Sequence, residues 1–259
     1  MSLMGASCNE HGPCSVVPAP MTSLDLYAVA SRREALPVAA EELEARAESR
    51  VRRVVNVIIA VTGIVLAAPV LVVVALLVRL TSPGPILYRQ VRVGLDRRSP
   101  HFPVGNHRRV IDYGGRPFTI YKFRTMAAAA SRSDRQVWAT PHDVRVTTLG
   151  RLMRKYRLDE LPQLFNVLNG DMNIVGPRPE QPTIFADLRR HVTRYSERQR
   201  VRPGITGWAQ INHHYDETID DVRTKVALDL DYIARQSFFE DLKIMLHTLP
   251  VLVFKKGAW

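Results

Sequence analysis

Cysteine is almost absent, with Cys8 and Cys14 the only two in 259 residues. Both fall in the polar N-terminal stretch, at a spacing of neither a zinc knuckle nor a redox pair, which argues against a disulfide framework or a thiolate metal site. The eight histidines show no H-E-x-x-H or comparable ligand spacing, so a transition-metal centre is not expected. No G-x-G-x-x-G follows a strand-like run, which removes the doubly wound dinucleotide-binding sheet from consideration. Internal repeats are absent, and the extreme N-terminus has no apolar stretch behind a basic start, so no secretory signal is expected there. Acidic residues are scarce relative to basic ones: 25 Asp and Glu against 36 Lys and Arg leave a formal net charge of +11. That excess favours polyanionic partners, whether anionic lipid headgroups, nucleotides or nucleic acid, without choosing among them.

What is present is a hydrophobic content of 46%, enough for a sizeable core in one or two domains. Residues up to about Pro20 mix Pro, Ala, Ser and Gly and predict disorder, while the Ala/Glu/Arg-rich stretch from Ser31 to Arg53 predicts an exposed helix. From Val54 to Val78 no residue carries a charge, and Arg52, Arg53 and Arg79 bound the run, which is long enough to cross a bilayer. Its middle reads Ala67-Ala68-Pro69, where proline removes a backbone hydrogen bond and predicts a kink. Composition alone fits a single-pass anchor. The kink also fits two arms that dip into one leaflet and return, and arginines at both ends lack the one-sided bias that orients a through-going helix.

Thr81-Ser82-Pro83-Gly84-Pro85 is a turn that ends the helix and opens a further domain. Ile86 to Val93 and Phe118 to Phe123 are β-prone runs that predict a hairpin. The basic, Gly/Pro-containing stretch from Arg97 to Arg116 between them reads as an exposed loop. Leu149, Leu152, Met153 and Tyr156 recur at helical spacing, with Arg151, Arg154, Lys155 and Arg157 making the other face basic. Phe185 to Arg200, Val222 to Arg235 and Phe238 to Phe254 also read as helices, several of them suited to a headgroup layer.

The most informative stretch runs from Arg157 to Met172 and contains Asp159-Glu160 followed by Pro162 and Gly170. Pro162 suits the first turn of a helix and Gly170 its end, so the two carboxylates are expected at the helix entrance, where free N–H groups and the macrodipole favour negative charge. Asp159 is then expected to stay ionised, as a nucleophile or, with Glu160, as a hard oxygen ligand for Mg²⁺; a simple helix cap is the plainer alternative. Basic residues accompany the pair: Lys122 and Arg124 in Tyr121-Lys122-Phe123-Arg124-Thr125-Met126, Arg154, Arg178 in Gly176-Pro177-Arg178-Pro179, and Arg202 in Val201-Arg202-Pro203-Gly204. Stiff Gly/Pro contexts suit bidentate phosphate recognition by arginine, though structural ion pairs would use the same residues.

Taken together, KFRTM, LDELPQLFNVLNGDMNIVGPRP and VRPGITGWAQI, in that order behind a Pro-containing apolar segment and SPGP, resemble the bacterial sugar transferase family, the monotopic phosphoglycosyl transferases. The resemblance spans roughly Arg52 to Val253. It implies an α+β, mainly helical fold with three parts: an N-terminal extension (1–50), a re-entrant, Pro69-kinked membrane helix (51–80), and a membrane-interface catalytic domain with amphipathic helices and a small β-hairpin (81–259). It further implies transfer of a sugar 1-phosphate from a UDP-sugar to polyprenyl (undecaprenyl) phosphate, with release of UMP, in glycoconjugate or exopolysaccharide assembly. Asp159 matches the nucleophile, Glu160 the second member of the dyad, and Mg²⁺ the cofactor held near both. Arg154 and Arg178 match phosphate-site positions; Lys122, Arg124 and Arg202 match motif positions with substrate-binding or supporting roles.

The same resemblance implies the cytoplasmic face of the bacterial inner membrane, anionic lipids as surroundings, no nucleic acid partner, and a homodimer as one form of assembly. Two departures stand out. Many members carry Ser where this chain has Ala68, and many read Asn-Gly-Arg where it has Asn212-His213-His214, which puts a titratable imidazole at His214 in a region expected to face the donor. A rival from another class is a membrane-tethered module that binds anions through its basic surface without catalysis, with no dependence on Asp159.

Overall fold

A computed structural model describes residues 50–96, 114–127, 145–213 and 218–253. The expectations for residues 1–49, for the 97–116 loop except its last three residues, and for His214 lie outside them. The described residues all belong to one compact unit, Val38–Trp259.

The uncharged run forms one helix, α1 (Arg50–Thr81), with Pro69 inside it. Side chains gather at its C-terminal end, where Val78 O accepts from Arg124 Nη2 at 3.4 Å and from Ser82 Oγ at 3.5 Å. Thr81 Oγ1 donates to Leu77 O at 2.6 Å, and Arg124 Nη2 donates to Ser82 O at 2.7 Å and to Ser82 Oγ at 2.8 Å. The predicted hairpin is present as β1 (Leu87–Val93) antiparallel to β2 (Pro117–Phe123), in register from Leu87 opposite Phe123 to Val93 opposite Pro117. The basic helix is α2 (Thr148–Lys155), opened by the Thr147 hydroxyl accepting from Gly150 N at 2.9 Å. A 3-10 turn (Leu158–Glu160) leads into α3 (Gln163–Asn169), which Gly170 closes at φ 80°, a left-handed conformation that glycine adopts without strain.

Beyond α3 come β3 (Asn173–Val175), α4 (Pro182–His191), a 3-10 turn (Tyr195–Arg200), β4 (Gly204–Thr206) and α5 (Trp208–Asn212). Strands β3 and β4 pair in parallel, a second small sheet absent from the sequence expectation. The run expected as one helix from Phe185 to Arg200 is instead broken at Val192: β-branched Val192 is extended, and Arg194 turns left-handed at φ 63° before the 3-10 turn. Two helices close the described residues, α6 (Ile219–Arg235) with a Thr218/Asp221 capping box, and α7 (Phe238–Val253). Among the described residues the architecture is thus mainly helical with two two-stranded sheets.

Both halves of α1 are fastened to this body. In the first half, Arg52 Nη2 is 2.8 Å from Asp241 Oδ2 on α7, and Arg53 donates to Val167 O (2.7 Å) and Leu168 O (2.9 Å), capping α3. Asn56 Oδ1 accepts from Ile174 N at 2.7 Å, and Ala60 is buried among Phe118, Ile120, Val167 and Met172. In the second half, Val74 and Val78 pack with Phe123 and Met153. Between these anchors Val65 is 65% exposed and Leu66 74% exposed, with Ala68, Pro69 and Val70 also outward. Among the described residues α1 is the one helix long and apolar enough to cross a membrane, yet only 11% of its most apolar window is buried.

Candidate active site

The 3-10 turn bearing Asp159 and Glu160 is placed by the two helices it joins. On the incoming side, Leu158 packs with Leu149 and Met153 against Val74 and Val78 of α1; on the outgoing side, α3 is held through Ala60 and Arg53. Arg157 takes a left-handed conformation (φ 56°) immediately before the turn, which reverses the chain out of α2. A non-glycine residue in this region bears a small conformational cost. Here Arg157 Nη1 comes within 3.6 Å of Glu160 Oε2. Arg157 was expected on the basic face of α2; the helix ends earlier, and the residue belongs to the site.

Glu160 is surrounded by cations. Its Oε1 accepts from Lys122 Nζ at 2.7 Å and from Arg178 Nη2 at 2.9 Å. Lys122 reaches the site from β2, whose register opposite β1 fixes its position. Arg178 is presented by a loop in which each residue is tied down. Gly176 N donates to Thr206 O, Pro177 O accepts from Gly204 N, Arg178 O accepts from Arg198 Nη2 at 3.0 Å, Pro179 O accepts from Arg92 Nη1, and Glu180 O accepts from Val93 N. Arg198 has no exposed side-chain surface and donates Nε to Asp229 Oδ2 at 2.7 Å and Nη1 to the Tyr195 hydroxyl at 2.9 Å.

The two carboxylates respond oppositely to these surroundings. Burial alone would raise the pKa of Glu160, but Arg178 and then Lys122 outweigh it and hold the group well below its ordinary value. Asp159 is equally buried, and its pKa is pushed up, first by desolvation and then by the Glu160 charge, against the opposing pull of Lys122, Arg154 and Arg178. The helix-entrance argument predicted a carboxylate held ionised; burial beside a second carboxylate acts the other way. Asp159 Oδ1 is buried with no hydrogen-bond partner among the described residues.

Arg154 is aimed by α2. Gly150 lies so close to the Thr125 carbonyl that any side chain there would collide with it, and Arg154 Nε donates to Thr125 Oγ1 at 3.0 Å. The structure therefore brings Asp159, Glu160, Lys122, Arg178 and Arg154 together. Arg124 points elsewhere, onto the C-terminus of α1. Arg202 sits in the turn before β4, with its carbonyl packed on Gly176, where it joins the two Gly/Pro motifs.

Among the described residues no three His, Cys, Asp or Glu side chains converge as a metal cluster. The chemistry of the pair nevertheless fits Mg²⁺. An unpartnered, buried carboxylate oxygen on Asp159 is a hard donor, and Mg²⁺ commonly takes one or two carboxylates and completes its shell with water and substrate phosphate.

Sequence reasoning missed Arg157, Thr125 and the Arg198–Asp229 pair. For Arg157 the only available signal was its place two residues before Asp159. For Arg198 and Asp229, 31 positions apart, local pattern carries no signal.

A family model described as bacterial sugar transferase matches residues 47–255. The chain is 39% identical over 208 residues to a UDP-N-acetylgalactosamine-undecaprenyl-phosphate N-acetylgalactosaminephosphotransferase of Aeromonas hydrophila, covering 80% of this chain and 45% of that protein. It is 40% identical to a UDP-glucose:undecaprenyl-phosphate glucose-1-phosphate transferase of Caulobacter vibrioides, covering 80% of this chain and 72% of the relative. With the Escherichia coli protein of the same description it shares 39% identity, over 80% of this chain and 41% of the relative. The chain thus spans less than half the length of two of these three. The ordered motifs, their convergence on one buried dyad and the family match over most of the chain agree: this chain belongs to the bacterial sugar transferase family.

Proposed function

We propose that the protein transfers a sugar 1-phosphate from a UDP-sugar to undecaprenyl phosphate at the cytoplasmic face of the bacterial inner membrane, through a phosphoryl-aspartate on Asp159, and so initiates glycoconjugate or exopolysaccharide assembly. The observation that carries this reading is the asymmetry of the dyad: a buried Asp159 with an uncommitted oxygen beside a Glu160 already neutralised by cations. The activities for which the relatives are named support the same reaction class.

In the first half-reaction an Asp159 carboxylate oxygen attacks the β-phosphorus of the donor. A new O–P bond forms, the bond from that phosphorus to the bridging oxygen breaks, and UMP departs with the bonding electrons. In the second, a phosphate oxygen of the lipid attacks the same phosphorus, the P–O bond of the Asp159 acyl phosphate breaks, and the carboxylate is restored. The upward-shifted pKa of Asp159 makes its anion the stronger nucleophile of the two carboxylates. Lys122 and Arg178 keep Glu160 charged without repelling the donor, and Arg154 and Arg178 offer guanidinium groups to its phosphates. Mg²⁺, when bound at Asp159 with Glu160 close by, would offset the charge of the diphosphate.

A lipid phosphate lies at headgroup level, so the site must sit there too. The attachment of both halves of α1 to one body, with an outward apolar middle around Pro69, supports a segment that enters one leaflet and returns. The test is UMP release from a panel of UDP-sugars with Mg²⁺ and undecaprenyl phosphate. Release that collapses in Asp159→Asn supports the assignment; unchanged turnover in that variant removes Asp159 from the chemistry, and no release from the unaltered protein leaves the anion-binding module as the reading.

A further inference from the structure

A surface helix needs one apolar face, and α2 has two. Leu149 and Met153 pack inward on α1 and β2. Leu152, 51% exposed, and Tyr156, 46% exposed, form a second apolar strip one helical turn apart on the outer side. Arg151 and Lys155 flank the strip, and α2 contains no acidic residue to neutralise them. The strip has a direction. At one end Leu152 follows by three residues the inward-facing Leu149, which packs on the cluster that includes Val74 and Val78 of α1. At the other end, Tyr156 is followed at once by Arg157, whose guanidinium approaches Glu160, and the chain reaches Asp159 two residues later.

Building on the transfer reaction proposed above, we infer that Leu152 and Tyr156 form the seat of the acceptor's polyprenyl chain, with Arg151 and Lys155 drawing its phosphate toward Asp159. An amphiphile with a long apolar tail and a single anionic head is the ligand whose chemistry matches an apolar strip edged by cations that runs from the membrane helix to a phosphoryl-transfer site. Bulk anionic lipid would also satisfy the charges, but it gives no reason for the strip to end at the dyad.

The two half-reactions separate these possibilities. Detergent-solubilised full-length protein with labelled UDP-sugar, Mg²⁺ and no acceptor measures formation of the aspartyl adduct. Chasing that adduct with undecaprenyl phosphate in neutral detergent micelles free of anionic lipid measures its discharge. Leu152→Ser and Tyr156→Ser are expected to form adduct at the wild-type rate and to discharge it about tenfold more slowly, as loss of roughly half-buried apolar contacts on the chain would give. Their preference for undecaprenyl over farnesyl phosphate should shrink in step. Phe239→Ser, a comparable loss on α7, where Phe239 is 78% exposed, should alter neither rate.

Wild-type discharge in the Leu152 and Tyr156 variants, with weakened sedimentation on anionic vesicles, would assign the strip to bulk lipid and overturn the inference. Equal slowing of both half-reactions would overturn it as well. Failure of the unaltered protein to form any adduct would remove the transfer mechanism on which the inference rests.

Discussion

Asp159 and Glu160 are adjacent in the chain and equally buried at 7% exposure, yet Glu160 Oε1 accepts from both Lys122 and Arg178 while Asp159 Oδ1 has no partner among the described residues. One turn thereby holds two carboxylates for two purposes. Glu160 binds the positive frame of the site together, and the Asp159 oxygen without a partner among the described residues is the one the proposed mechanism uses.

Glu160→Gln should cost more stability than Asp159→Asn. Removing the Glu160 charge leaves Lys122 and Arg178 facing one another in a largely buried site, at a cost of about 2 kcal/mol once the partial exposure of Arg178 is discounted. Asp159, whose pKa is raised on folding, opposes folding when ionised, so Asp159→Asn should leave the melting temperature unchanged or higher at neutral pH. Thermal unfolding of both variants checks the order.

Acid should act through Glu180. Burial alone would raise its pKa, but Lys225 and then Arg198 lower it to about 2, from an ordinary value of 4.5. A carboxylate whose pKa is depressed on folding stabilises fully above its unfolded value and loses that contribution as pH falls through the folded one. The loss therefore falls between pH 4.5 and about 2, and it amounts to at most about 3 kcal/mol. Denaturant titrations across that range should show a shallower acid decline in Glu180→Gln than in the unaltered protein.

Arg124→Ala distinguishes a structural arginine from a phosphate ligand. Because Arg124 Nη2 closes the end of α1 at Ser82, its loss should reduce stability by about 1–2 kcal/mol. The KM for the UDP-sugar should stay within a factor of about three, whereas Arg178→Ala should raise it or lower kcat by at least about tenfold. Steady-state kinetics beside thermal unfolding reads both.

How legible this was in the sequence depended on range. The hairpin, helix α2 and the Gly170 stop followed from periodicity and turn chemistry within a few residues. The sheet of β3 and β4 did not, since three-residue strands carry no alternation, and Gly204–Thr206 lies about 30 residues after its partner. The motifs named the site's residues but not their partners: Arg124 sits in the same five-residue motif as Lys122 and faces the other way. Arg198 and Asp229 hold the backbone of Arg178 through contacts that only folding creates.

The placement of α1 predicts its topology. With Cys8 and Cys14 replaced by Ser, single cysteines at Arg50→Cys and Pro85→Cys should both react with a membrane-impermeant maleimide from the cytoplasmic side of inverted vesicles. Labelling of the two from opposite sides would show a through-going span and would conflict with the attachment of both halves of α1 to one body.

The most direct test of the account is mass analysis of the protein after incubation with UDP-sugar and Mg²⁺ in the absence of acceptor. The account predicts a gain equal to one sugar phosphate on the peptide containing Asp159, lost on adding undecaprenyl phosphate and absent from Asp159→Asn. Turnover that proceeds with no adduct, or an adduct on any other residue, would contradict it.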